Sequence, residues 1–260
     1  MTHGNDQFLA RRQRAVHTSA GPMDFPILYR DIGGMSAFFH VDAARVAREL
    51  ADTGLSVVPP FGRTIVGVAF FTYRDCTIAS YDEAAVAVLA RPKGQAREST
   101  LSSFMETLRT SPRANIASHI LQLPVTTEQA RAGGVEVYGY PKFVADINLQ
   151  FEGNRFRGVV REKETGEEIV RLDGRARLGV TVPSPDTVTW SLLGDQLLCT
   201  HIEMDGKLRL SVGHGFRLQV GNSHHPMAQQ LRALGLDGKR PFMVARSDSY
   251  RSVLPLGEPA

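Results

Sequence analysis

The sequence predicts an α+β protein, an antiparallel sheet curled into a barrel with a few helices on its outside. Three observations predict it. From Phe143 onward apolar residues recur at every second position (Phe143, Ala145, Ile147, Leu149, Phe151), alternating with Val144, Asp146, Asn148 and Gln150. That period marks a half-buried antiparallel strand. The dipeptides Gly153-Asn154, Thr165-Gly166 and Asp173-Gly174 then punctuate short β-rich runs at the spacing of successive hairpins. Helical spacing is confined to a few brief segments, the balance of an α+β chain.

Taken in order, residues 1 to about 22 are polar, contain Arg11-Arg12-Gln13-Arg14 and end in Ser19-Ala20-Gly21-Pro22. They are expected to form a flexible arm ahead of a single domain over 23–260. A helix is expected over Ala43–Ala51, with Asp42 as N-cap and Gly54 as its stop. Strands follow at Leu55–Val58, Thr64–Tyr73 and Glu83–Leu89. Thr100–Arg109 has helical spacing through Leu101, Phe104, Met105 and Leu108. Thr126-Thr127-Glu128-Gln129 opens a compact helix that Gly133-Gly134 is expected to close. After the period-two strand come β runs at 156–161, 168–172 and 175–182, and a last helix runs from Pro226 to Leu234, stopped by Gly235.

Bulk properties bound the function. A chain of 260 residues, 42% apolar and 22% charged, can bury a substantial core without staples. A net charge of +3 and the lack of a basic stripe interleaved with aromatics argue against nucleic acid as a partner. Cys76 and Cys199 are the only cysteines and lack CxxC spacing, which suits a reducing, cytoplasmic setting. No apolar run approaches the roughly 20 residues of a membrane span, and the N-terminus lacks a secretory pattern. Dinucleotide, P-loop and nucleophile-elbow motifs are missing, and His224-His225 are adjacent without a HxxxH or CxxC companion. No metal or cofactor is expected.

One residue stands out. Most of the positive charge is arginine; the lysines are Lys93, Lys142, Lys163, Lys207 and Lys239. Four sit beside glycine or other charges, whereas Lys142 stands between Tyr138-Gly139-Tyr140-Pro141 and an apolar strand. An ammonium in apolar surroundings loses hydration, its pKa falls, and a nucleophilic amine becomes available for Schiff-base chemistry. The competing reading is a lysine that snorkels to solvent from the start of a strand.

The words around this lysine carry a resemblance. Tyr138-Gly139-Tyr140-Pro141-Lys142 resembles the Tyr-Pro-Lys step that holds the Schiff-base lysine in the acetoacetate decarboxylase family. Ser80-Tyr81-Asp82-Glu83-Ala84-Ala85 is similar to that family's segment bearing an active-site carboxylate. Phe216-Arg217-Leu218-Gln219-Val220, followed by His225-Pro226-Met227-Ala228, is similar to its last strand and closing loop. The resemblance covers about residues 25 to 255 and implies a closed, cone-like antiparallel β-barrel with the lysine inside, in a homo-oligomer. It also implies that Lys142 is the amine nucleophile and Glu83 the carboxylate that orients substrate or moves a proton. Tyr138, Tyr140, Phe143 and Arg30 are candidate substrate contacts.

Two departures bear on the chemistry. In the decarboxylase, the standing example of a lysine activated by a neighbouring cation, a second lysine follows the nucleophile; here Phe143 does. The family's substrate-carboxylate arginine has no clear counterpart, Arg30 beside Asp31 being the nearest cation. Three functions follow: a lyase that decarboxylates a small 3-oxo acid through a lysine imine; an aldolase or dehydratase using the same lysine on a pyruvate-like oxo acid; and a non-catalytic barrel holding a carbonyl ligand or serving as an assembly unit. The expected partner is a small oxo acid or ketone.

Overall fold

Alternation and turn chemistry deliver a sheet that feeds the lysine from three strands. The computed structural model describes residues 7–59, 61–94 and 116–260. The strands are β1 (Arg14–Thr18), β2 (Gly21–Phe25), β3 (Ile27–Asp42), β4 (Leu55–Val57), β5 (Arg63–Cys76), β6 (Tyr81–Pro92), β7 (Ala117–Val125), β8 (Lys142–Glu152), β9 (Arg155–Glu162), β10 (Glu168–Arg175), β11 (Gly179–Pro183), β12 (Thr187–Leu193), β13 (Gln196–Val212), β14 (Phe216–Val220), β15 (Met243–Leu254) and β16 (Glu258–Pro259). Three α-helices, α1 (Ala43–Glu49), α2 (Glu128–Tyr138) and α3 (Pro226–Ala233), accompany them among the described residues. The expected helix at Thr100–Arg109 lies outside the described residues.

The main sheet runs β14-β10-β9-β8-β7-β12-β13-β15-β3-β5-β6-β4, and β6 also pairs β7. The pairings from β7 through β12, β13, β15, β3, β5 and β6 therefore return to β7. On one edge β7 pairs β6; its other edge meets β12 at Ser118 and His119 and β8 at Leu123–Val125. The sheet forks there, and Lys142 is the first residue of the departing strand. Both pairings at the fork are parallel. The expectation of a purely antiparallel sheet is corrected at this point: a parallel pair needs a crossover connection, and α2 supplies the one between β7 and β8.

Three local expectations change. Residues 14–25, most of which fall in the polar arm, form a hairpin because Met23 and Phe25 are buried. Gly133-Gly134 does not end α2, which continues to Tyr138 and closes on Gly139 in the left-handed conformation (φ 67°). Asp173-Gly174 is not a turn but the end of β10, paired with Arg157 and Phe156 of β9. The hydrogen bonds available from the neighbouring strand outweigh the local turn preference of Asp-Gly.

The other helix ends follow the side-chain rules. Asp42 Oδ1 accepts from Ala44 N–H at 2.7 Å to cap α1, and Thr127 does the same for Ala130 at the start of α2. In α3, Pro226 is the first residue and Arg232 lies in the last turn. Two apolar clusters form among the described residues. The larger packs Phe39, Val68, Phe70, Phe156, Leu172 and Leu231. The smaller gathers Met23, Phe25, Tyr29, Tyr81, Tyr138, Tyr140 and Tyr250.

Candidate active site

Cross-strand register puts Glu83 and Lys142 on one face. Glu83 of β6 lies opposite Val125 of β7, and Leu123, two residues back on the same face, lies opposite Lys142 of β8. Side chains alternate along a strand, so the two point the same way across the single intervening strand. Lys142 Nζ donates to Glu83 Oε2 at 2.6 Å, and both side chains are only 8% exposed.

The lysine reaches its partner by lying across a helix that has no side chain in the way. A Cβ on Gly134 would collide with Lys142 Cδ and Cε, and one on Gly133 would strike the thioether of Met23. Gly134 therefore leaves a passage for the lysine stem and Gly133 leaves room for Met23, which explains why both sit inside a helix at the usual cost of about 1 kcal/mol per glycine. Gly139 then ends α2 where a Cβ would strike the Leu192 carbonyl. The chain turns there into Pro141 and Lys142.

Tyrosines close around the pair. The chain has six, and all belong to the smaller cluster, five buried and Tyr73 at its margin. Register explains the convergence: Tyr73 faces Tyr81 across β5 and β6, and Ile32 of β3 lies opposite both Tyr73 and Tyr250. Tyr73 Oη donates to Glu83 Oε1 at 2.9 Å, leaving Oε2 for the lysine. The hydroxyls of Tyr29 and Tyr81 are 3.0 Å apart, and Lys142 Nζ lies 5.6 Å from the centre of the Tyr81 ring. Tyr138 and Tyr140 stack at 5.2 Å; Tyr140 meets Thr189 Oγ1 at 2.7 Å, and Tyr138 donates to the Pro255 carbonyl at 2.9 Å.

Burial, and then the Glu83 charge, holds the Tyr29 and Tyr73 hydroxyls well above the ordinary phenol range. Tyr81 is raised by burial, then by Tyr29 and Glu83. Burial pushes Tyr140 up to about 12. These phenols stay protonated at neutral pH and act as donors, not as charges.

A cavity of about 20 Å³ opens beside Lys142, walled by Met23, Tyr29, Tyr81, Gly134, Tyr138 and Tyr140 among others. It has room for roughly one water. Lys142 is the one charged residue among the described residues lining it.

The structure thus brings together Lys142, Glu83, Tyr138 and Tyr140, and places the other two candidates elsewhere. Phe143 points to the opposite face of β8, where its ring lies 4.4 Å from that of His225 and packs on the larger cluster. Arg30 is exposed and paired with Asp75 at 3.2 Å. Sequence reasoning missed Tyr29, Tyr73, Gly133 and Gly134 as parts of the site. The only available signal was the oddity of two glycines inside a helical run. Among the described residues no group of three His, Cys, Asp or Glu converges as a metal site requires.

Comparison with known proteins places the chain in a family and its fold among solved structures. The acetoacetate decarboxylase (ADC) family matches residues 14–203. The chain belongs to that family. Its fold is similar to an acetoacetate decarboxylase from Legionella pneumophila, with 14% identity, TM-score 0.66, and coverage of 96% of this chain and 92% of that one. It is also similar to the enduracididine biosynthesis enzyme MppR complexed with pyruvate, with 12% identity, TM-score 0.63, and 90% and 89% coverage. An acetoacetate decarboxylase-like enzyme from Sphingomonas wittichii RW1 matches with 14% identity, TM-score 0.63, and 92% and 94% coverage. No curated protein matches the chain by sequence. Among the described residues no helix is long and apolar enough to cross a membrane.

Proposed function

We propose that this protein is a lyase that forms a Schiff base between Lys142 and a small oxo acid. The observation that carries the reading is the 2.6 Å contact between Lys142 and Glu83 inside a tyrosine-lined wall. A buried ion pair contributes little to stability once desolvation is counted, so its presence beside a cavity favours a chemical role. Glu83 accepts a proton from the ammonium, and the freed amine adds to the substrate carbonyl carbon. The carbinolamine loses water, with Glu83 returning the proton to the departing oxygen. In a 3-oxo acid the bond to the carboxylate then breaks. Its electron pair moves through the new C–C double bond to the iminium nitrogen, releasing carbon dioxide and leaving an enamine. Protonation at carbon and hydrolysis return the ketone and the free lysine.

The surroundings suit that bond cleavage. A carboxylate in a dry, apolar pocket is poorly solvated, and dispersing its charge toward carbon dioxide relieves that cost. The iminium is then the nearest cation. The Met23 thioether is the adaptable wall that makes room for a substrate larger than water. The same site supports aldol or dehydration chemistry on a pyruvate-like oxo acid. That second reading is favoured by the likeness in fold to MppR, which was solved in complex with pyruvate. The pairing circuit of the sheet supports a closed, cone-like barrel around the lysine. Exposed Leu178, Val180 and Val212, at the β11–β13 edge, support the expected homo-oligomer. A cytoplasmic location belongs to the same proposal.

The test is carbonyl-oxygen exchange. Imine formation followed by hydrolysis washes an ¹⁸O label out of a ketone or oxo acid, whichever bond is later broken. Wild-type protein should accelerate washout for at least one member of a panel of 2-oxo acids, 3-oxo acids and simple ketones, and Lys142→Arg should not. Carbon dioxide release then separates the two readings. Washout that is equal with both proteins, or equal to buffer alone, rejects the imine.

A further inference from the structure

At the far end of the same strands lies a second group of cations. Arg63 opens β5, whereas Tyr73 of the lysine site lies near its other end. Ten residues of extended strand separate them by about 30 Å. His40 is likewise near the end of β3 remote from Tyr29. A groove of about 380 Å³ is walled by His40, Arg63, His214, Lys239, Arg240 and Phe242. That volume falls within the size range of small-molecule sites.

What distinguishes this groove is positive charge without compensation. Neither Arg63 nor Lys239 has a hydrogen bond or ion pair through its side chain among the described residues, although Lys239 is half-buried. Arg240 spends one N–H on the His214 carbonyl at 3.1 Å. No carboxylate is among the described residues that line the groove. Asp42 lies opposite Arg63 in the β3–β5 register but caps α1, and Asp237 accepts from Val220 N–H at 2.8 Å. Dehydration, then the charges of Arg63 and Arg45, lower the Lys239 pKa, and dehydration, Arg63 and Lys239 lower that of His40. Cations crowded this way repel one another in the empty groove and gain when an anion enters. The imidazole of His40 stacks on Phe242 at 4.2 Å and 15°, giving the groove one flat wall.

We propose that this groove binds a small organic phosphate, with Arg63, Lys239 and Arg240 holding the phosphate and the His40–Phe242 stack facing its ring. Three cations around one groove suit a dianion better than a single carboxylate, and guanidinium forks fit phosphate oxygens. The site is separate from Lys142 and does not depend on the imine proposal. Isothermal titration of the full chain with AMP and with inorganic pyrophosphate tests it, with acetate at matched ionic strength as the monoanion control. The expected result is saturable one-to-one binding of AMP or pyrophosphate with Kd of about 1 mM or tighter, weakened about tenfold or more in Arg63→Gln/Lys239→Gln. The singles Arg63→Gln and Lys239→Gln, each with an unchanged melting curve, should weaken it by intermediate amounts, and Lys163→Gln should leave it unchanged. AMP binding tighter than pyrophosphate binding supports the ring-facing role of the stack. No saturable heat with either probe, or equal affinity in the double variant and wild type, overturns the proposal.

Discussion

Lys142 and Lys239 are two lysines withdrawn from bulk water to different ends of one sheet, and their neighbours make them different groups. Lys142 meets a carboxylate at 2.6 Å within a wall of tyrosines. Lys239 lies near Arg63 and Arg45, with no carboxylate among the described residues lining its groove, and burial, then those two charges, lower its pKa. Dehydration alone therefore does not define a site for carbonyl chemistry. A partner that can take and return a proton, beside an enclosed cavity, is the feature Lys142 has and Lys239 lacks. Lys239 has instead what an anion site needs, an unanswered charge at the rim of an open groove.

Removing each amine should separate the two most sharply. Lys142→Arg should lower turnover of a responsive oxo acid by on the order of 10³-fold or more, whereas Lys239→Gln should leave it within about twofold. Comparable losses from both, in a steady-state assay, would erase the distinction. Stability should follow the same division. Lys142→Ala leaves Glu83 buried and unpaired and should cost about 3–5 kcal/mol in urea unfolding, whereas Lys239→Ala should fall within about 0.5 kcal/mol of wild type. Replacing the pair together, Lys142→Met with Glu83→Gln, should recover most of that loss while remaining inactive. A double variant as unstable as Lys142→Ala would instead make the pair a structural element.

A finer probe is Gly134→Ala. Its methyl group would occupy the path of the lysine stem, so turnover should fall about 100-fold through displacement of the amine while the AMP groove is untouched. Turnover unchanged in this variant would mean that the lysine reaches substrate by another route. Tyr73→Phe removes the hydroxyl that holds Glu83 Oε1 and should cost about 1.5–3 kcal/mol in transition-state stabilisation.

The smallest effect is alkaline destabilisation. The folded-state pKa values of Tyr29, Tyr73 and Tyr81 are raised. The unfolded chain therefore releases those protons first, near the ordinary phenol value of about 10. The contribution of these phenols to stability is fully present below that pH and is lost as pH rises through the folded-state values. Melting temperatures recorded from pH 9 to 11 should fall less steeply in Tyr73→Phe than in wild type. Parallel curves would remove Tyr73 from the account.

What the sequence disclosed about this site followed from local signals. The Tyr-Pro-Lys word and the period-two strand after it located Lys142, and a short word around Tyr81 located Glu83. The capping residues Asp42 and Thr127 placed two helices because a cap is a contact within a few residues. Non-local features did not show. Tyr29, Tyr73 and Tyr250 come from three strands, and alternation cannot tell a cavity wall from packed core. Gly133-Gly134 looked like a helix stop because the collision that requires glycine there comes from Lys142 and Met23, which are distant or later in the chain. The parallel pairing of β7 with β8 was equally hidden, since parallel register leaves no turn signature.

Borohydride reduction followed by peptide mass mapping tests the central claim most directly. With a responsive oxo acid present, the account predicts a single reduced adduct on the peptide containing Lys142 and none on the peptide containing Lys239. An adduct on Lys239 but not on Lys142, or none on either after turnover has been demonstrated, would contradict it.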